Sequence, residues 1–193
     1  MDRSVYNPAM VFPSAAAPPR ERILLAAHEL FYRDGIRATG IDRVIADSGV
    51  AKVTFYRQFA SKDELILAFL DFRHVRWIAW FTDALARHGG TPGALVPALR
   101  EWFCGPEFRG CAFLNSVCEL ADALPAVLAV TRHHKQDMTA AILRLLPAGA
   151  GRARTSRALA LAVDGAIVQA QFQGAPDAAL DSLALLVQAL VRG

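Results

Sequence analysis

The stretch from Thr39 to Leu65, TGIDRVIADSGVAKVTFYRQFASKDEL, constrains what this chain can fold into more than any other part of it. Ile41, Val44 and Ile45 recur at helical spacing, with Thr39 placed to cap the first free amides and Asp42 to answer from three residues on. Ser48-Gly49 stops that helix. A second helix over Ala51 to Phe59 is predicted to bury Val50, Phe55 and Phe59 and to leave Lys52, Val53, Tyr56 and Arg57 outward. Ser61 followed by Glu64 is the pattern of a capping box, so a third helix starts at Lys62. Two short helices joined by a glycine turn make a helix-turn-helix.

Around that core the rest of the chain reads as helix. At 193 residues it can hold a small domain joined to a larger one, and its 54% hydrophobic content leans on Ala and Leu, which favour helix. The formal charge of +3 lies wholly in the first third: residues 1–62 carry nine Lys/Arg against six Asp/Glu, and 63–193 carry twelve of each. That surplus moves the reading towards a nucleic-acid partner, although a solvated face has the same composition. Asp164 and the loop prolines interrupt every candidate for the roughly 18 apolar residues of a membrane span. Pro8 and Pro13 break the apolar part of the opening MDRSVYNPAMVFPSAAAPP, so it is no secretory signal. Three cysteines without a paired framework suit a reducing compartment, and a cytoplasmic location is expected.

Taken in order, residues 1–19 read as an Ala/Pro-rich tail, from which Arg3, with Arg20, is a candidate for a minor-groove arm. Pro18-Pro19 lead into a helix with the stripe Ile23, Ala27, Leu30, Phe31, stopped by Gly35. A long helix from Lys62 to Arg87 carries Leu65, Phe69, Phe72, Trp77, Trp80, Phe81 and Leu85 over more than one face, so it must be covered on several sides. Further helices are predicted up to Cys104, over CAFLNSVCELA, and from Pro125 to Leu146 with Val127, Val130, His134, Met138 and Ile142 inward. Two more follow, over Ala153 to Gln173 and Asp177 to Val191. Their stripes are Leu159, Val163, Ala166, Ala170 and Leu180, Leu183, Val187, Leu190. Either these stripes make a four-helix contact between two subunits or they face their own domain.

The run GVAKVTFYRQFASKDEL resembles the helix-turn-helix of the TetR/AcrR family of bacterial transcriptional regulators, whose pattern is approximately G-V-[SA]-x-x-T-[LF]-Y-x-x-F-x-[SN]-K-[DE]-[ED]-L. Gly49, Thr54, Tyr56, Phe59, Lys62 and Leu65 match it, and Phe31, Gly35 and Thr39 fall where that family has them. Ile45 departs from a commonly small residue, and Ala51 from a frequent Ser. The resemblance implies an all-α fold, with an N-terminal three-helix head over 20–65 and a larger ligand-binding and dimerising domain over 66–193. It also implies a homodimer that binds a double-stranded palindromic operator as a repressor and is released by a small apolar or amphipathic effector. The last two helices would then be the dimer interface. On resemblance and geometry together, Lys52, Val53 and Tyr56 are expected at base edges, with Thr39, Thr54, Arg57, Gln58 and Lys62 on phosphates.

No phosphate loop, nucleophile elbow or catalytic carboxylate pair is present, so an enzyme is not expected, and no cofactor motif is found. His133 and His134 point about 100° apart on a helix and do not converge with Cys118 on a metal. Trp80, Trp102, Phe103 and Phe113, with Asn115, Cys118 and His134 as sparse polar groups, have the makeup of an effector pocket, or of plain core. Two other readings stay open. One is a helical small-molecule-binding or adaptor protein without sequence-specific DNA binding. The other is a thiol-based redox regulator using Cys104, Cys111 or Cys118.

Overall fold

A computed structural model describes residues 17–192; the expected tail, with Arg3, lies almost wholly outside them. Nine α-helices and no strand are found among the described residues. They divide into two compact units, and α4 (Lys62–Arg87) runs through both.

The head unit spans 17–76 and Ala112–Thr131. It holds α1 (Pro19–Asp34), α2 (Ile41–Ser48), α3 (Lys52–Gln58), the first half of α4 and α6 (Ala112–Leu120). The segment 20–65 therefore lies inside a unit that also takes in a later helix. Pro19 opens α1, where a missing N–H costs nothing, and Gly35 closes it at φ 90°. The side chains of Ile23, Leu30, Phe31, Phe55, Phe59, Leu65 and Phe69 are fully or nearly fully buried and make one core. Cutting Phe55 to Ala would remove a ring common to α3 and that core, at about 3–5 kcal/mol for a change of this kind.

The capping box forms. Ser61 Oγ accepts the Glu64 amide at 3.1 Å, and the Glu64 carboxylate reaches back to the Ala60 amide at 2.8 Å, so α4 begins at Lys62. The cap expected of Thr39 does not. The N-cap of α2 is Gly40, with no side-chain bond, and Thr39 is fully buried, its hydroxyl donated to the Gly35 carbonyl at 2.8 Å. The α1–α2 loop turns Thr39 inward, where its hydroxyl satisfies a carbonyl left over at the end of α1.

The body unit spans Trp77–Cys111 and 132–192. It contains the second half of α4, a 3-10 turn at Pro92–Ala94, α5 (Leu95–Phe103), most of α7 (Ala126–Leu145), α8 (Arg152–Gln173) and α9 (Asp177–Arg192). Pro97 lies in the first turn of α5, where it displaces no helical hydrogen bond, so the chain enters α5 through the 3-10 turn and is not kinked. Arg87 at the end of α4 forks onto Glu101 of α5 with two bonds of 2.9 Å and also holds Asp83 at 2.7 Å. Helices α8 and α9 pack on each other, and α5 packs on both.

Candidate nucleic-acid interface and the surfaces around it

The turn between α2 and α3 depends on Gly49, which sits at φ 63°, in the left-handed region where side chains are strained. Arg22 of α1 donates to the Gly49 carbonyl at 2.9 Å, and a Cβ on that glycine would collide with the same guanidinium. Arg20 donates to the Gln58 carbonyl at 2.7 Å and lies 4.2 Å from the Phe59 ring centre. Two cations of α1 thus clamp both ends of α3. Arg20, a candidate groove arm on sequence, is engaged inside the head, a role no local sequence signal announces because the acceptors are backbone carbonyls far along the chain.

Helix α3 is anchored by buried Phe55 and presents Lys52, Val53, Tyr56 and Arg57 to solvent, with Val53 60% and Tyr56 46% exposed. Lys52 Nζ meets Asp42 of α2 at 3.1 Å, a hydrogen-bonded pair that raises the pKa of the lysine. Both groups are well exposed, so the pair is readily exchanged for another partner. Thr54 and Gln58 are half-buried on the flanks.

Two residues expected on phosphates have other work. Thr39 has no side-chain surface left for a phosphate. Lys62 is half-buried and donates to the Ile36 carbonyl at 2.7 Å, and burial holds its pKa below the ordinary lysine value, so at least one of its donors serves the α1–α2 loop. The same loop is held from another side by Glu119 of α6, whose carboxylate accepts the Arg37 amide at 2.8 Å and lies against Gly35. Glu119 was not among the sequence candidates; only the fold brings it to a loop more than eighty residues away.

Comparison with known proteins places this geometry. A profile of bacterial regulatory proteins, tetR family, matches residues 23–69, the span from α1 into α4. A crystal structure of a TetR-family transcriptional regulator from Streptomyces coelicolor is 33% identical, with 90% of this chain and 94% of that one covered at a TM-score of 0.76. The chain belongs to the TetR family. Members of that family are DNA-binding regulators and not enzymes. An HTH-type transcriptional regulator in the lacX 3' region of Lactococcus lactis is 29% identical over 108 residues, 53% of this chain and 55% of that protein. The HTH-type transcriptional activator FasR of Mycolicibacterium smegmatis is 45% identical over 56 residues, 29% of this chain and 25% of that one. This chain thus spans about half of the first of these regulators and a quarter of the second.

Among the described residues of this TetR-family chain, no helix is long and apolar enough to cross a membrane. In its body, the rings expected in an effector pocket pack together. Trp77 lies 5.5 Å from Trp102 and 5.0 Å from His134, Trp80 lies 6.0 Å from Trp102, and Phe108 bridges Trp102 and Phe103 at 5.2 and 4.9 Å. The Trp77 indole N–H is buried without a hydrogen-bond partner, and buried His134 adds a second polar group to the cluster. Phe113 and Asn115 sit on α6, in the head unit, and Cys118 of the same helix is exposed and so cannot line an enclosed pocket.

Within the protomer the stripes expected at a subunit interface are largely covered. Leu159, Val163, Ala166, Ala170, Leu180, Leu183 and Val187 are all buried within the protomer, and Leu190 is half-buried. They are the seam of α8 on α9 and their neighbours. The outward faces are apolar as well: Leu161, Val168 and Phe172 of α8 and Leu185, Leu186 and Val191 of α9 are exposed. A groove of about 470 Å³ runs between these helices, lined by Leu161, Gly165 and Leu186 together with Ala166, Leu183 and Leu190 of the stripes.

Proposed function

We propose that this chain is a homodimeric, ligand-responsive transcriptional repressor of the cytoplasm that reads a palindromic operator through α3. The observation that carries the reading is where the apolar surface is exposed. Of nine large hydrophobic side chains exposed among the described residues, two, Val53 and Tyr56, are on α3, and six are on the outer faces of α8 and α9. Exposed apolar groups gathered in patches mark contact surfaces. The first patch sits between Lys52 and Arg57 on a helix, an element that a major groove admits; the second suits the same helices of another copy, packed as a four-helix contact.

Lys52, Val53 and Tyr56 face base edges in this reading, and Arg57, Thr54 and Gln58 flank them on phosphates. Lys52→Ala is expected to relax sequence preference at particular operator positions by about 1–3 kcal/mol, whereas Arg57→Ala weakens all duplexes alike and lowers the salt slope by about one unit. Sequences selected from random duplex DNA, followed by titration of each variant at several salt concentrations, check this. Equal losses at every sequence for both variants would overturn the assignment. A helical adaptor without DNA recognition would select no sequence at all.

The effector site is the aromatic cluster of Trp77, Trp80, Trp102, Phe103 and His134, and the buried Trp77 N–H favours a flat apolar molecule carrying a hydrogen-bond acceptor. An effector acts only by favouring one head arrangement over the other, and about 1.4 kcal/mol of coupling changes operator affinity tenfold. Within the head unit the α1–α2 loop is held by Lys62 of α4 and Glu119 of α6, so a shift of either helix reaches it. Glu119→Ala is expected to reduce the effector's influence on operator binding while effector binding, followed by tryptophan fluorescence, stays unchanged. An undiminished response would remove α6 from the route.

A further inference from the structure

We propose that Cys111 is a peroxide-reactive thiol, held for that chemistry by Lys135 and Asp164, and that its oxidation is a second input to the regulator beside the small-molecule effector. Three groups from different parts of the body unit meet there. Cys111 ends the loop that precedes α6, Lys135 comes from α7 and Asp164 from α8. Lys135 Nζ lies 3.4 Å from the sulfur and 2.5 Å from the Asp164 carboxylate. Asp164 thereby fixes the ammonium against sulfur, where it stabilises the negative charge that sulfur carries as a nucleophile.

Further details point the same way. Cys111 immediately precedes the first residue of the nine-residue α6. Burial works against the charge on Lys135, yet Cys111 and Asp164 outweigh it and hold its pKa above the ordinary lysine value. Lys135 is therefore an ammonium that donates, and it is not available as an amine nucleophile. Of the three cysteines Cys104 and Cys118 are exposed, and Cys111 alone is buried, at 4% exposure. A reagent reaching it must be close to water in size, which favours hydrogen peroxide over bulky electrophiles.

The reaction balances with peroxide as the oxidant. The thiolate attacks one peroxide oxygen, an S–O bond forms as the O–O bond breaks, and the departing hydroxide takes up the proton the thiol released. One peroxide becomes one water, and the sulfur is oxidised to sulfenic acid, a step that thiols reverse. The product places an extra oxygen between the α6 loop, α7 and α8 where space is short: a Cβ on neighbouring Gly110 would already collide with the Gln171 side chain. The chemistry at Cys111 stands by itself, and its consequence at DNA rests on the regulatory reading above.

The test uses the full chain with both exposed cysteines replaced, Cys104→Ser and Cys118→Ser, which leaves the buried cluster untouched. The folded protein, and the same chain unfolded in guanidinium, are exposed to hydrogen peroxide for timed intervals; peroxide is then removed with catalase, both samples are brought into guanidinium with dimedone, and the trapped sulfenic acid is read by intact mass. The folded chain is expected to react roughly tenfold faster or more, and Lys135→Met in that background to lose the advantage. A folded rate equal to or below the unfolded one overturns the site, whatever the Lys135 variant does. Operator binding of the double variant should then fall on oxidation and return with dithiothreitol. Trapping without any change in operator binding overturns the second input and leaves the reactive thiol. A reduced protein that selects no operator overturns the regulatory reading instead.

Discussion

Leu161→Asp is expected to turn the protein from a dimer into a monomer at micromolar concentration and to cut operator affinity by about 10²–10⁴, the loss that follows when two linked heads become independent. Leu161 is 75% exposed in the protomer, so a carboxylate there costs its own fold almost nothing. In a two-fold interface the same position enters from both copies, and an unpaired charge would be buried from each side at several kcal/mol apiece. Leu185→Asp, at 69% exposure on α9, should act alike. Val187→Asp should not: its side chain is buried between α9 and its own domain, and the variant is expected to unfold. Sedimentation with a thermal melt separates the two outcomes. A dimeric, fully folded Leu161→Asp protein would move the subunit contact away from the outer face of α8.

The second large effect is loss of stability in mild acid, centred on the head. His28 is buried between Phe69 and Phe72 at ring-centre distances of 5.8 and 5.4 Å, and its Nε2 lies 3.1 Å from Arg73 Nη1. Arg73 can only donate, so Nε2 accepts and the ring proton is assigned to Nδ1. Burial first, and then the charges of Arg73 and Arg76, lower the His28 pKa from 6.5 to about 3. The folded value lies below the unfolded one, so as pH falls through 6.5 the unfolded chain takes up the proton first. The stability present above that pH is lost progressively down towards 3. The slope for one such group is about 1.4 kcal/mol per pH unit, so roughly 2 kcal/mol is lost by pH 5. Urea unfolding of the wild type and His28→Gln, which keeps an acceptor for Arg73 without titrating, reads the difference in slope. Parallel curves between pH 7 and 5 would show that another group governs the loss.

Arg73 makes this arrangement unusual. Its guanidinium is buried 3.5 Å from the Tyr32 ring centre, and Nη2 has no hydrogen-bond partner. A buried cation served by an aromatic face and a neutral histidine adds to burial in keeping that histidine neutral, and the two together give the acid sensitivity.

Much of this was legible from residues alone, wherever the cause is local. Gly49 and Gly35 end their helices because only glycine adopts those φ values cheaply, Ser61 and Glu64 cap α4 because they lie three apart, and the i, i+1, i+4 spacing of Lys52, Val53 and Tyr56 puts them outside Phe55. Thr39 escaped the reading because a hydroxyl can satisfy a carbonyl behind it as readily as an amide ahead, and only the packed loop chooses. The stripes of α8 and α9 escaped it for a broader reason. Both helices are apolar on two faces, and periodicity counts faces without saying which neighbour covers each. Tertiary structure decided that Leu159, Val163, Leu183 and Val187 close the protomer and that Leu161, Phe172 and Leu185 remain outside it. Likewise it alone brought Glu119 to the Arg37 amide and set Lys135 and Asp164 beside Cys111, because contacts between residues dozens of positions apart leave no spacing in the chain from which to read them.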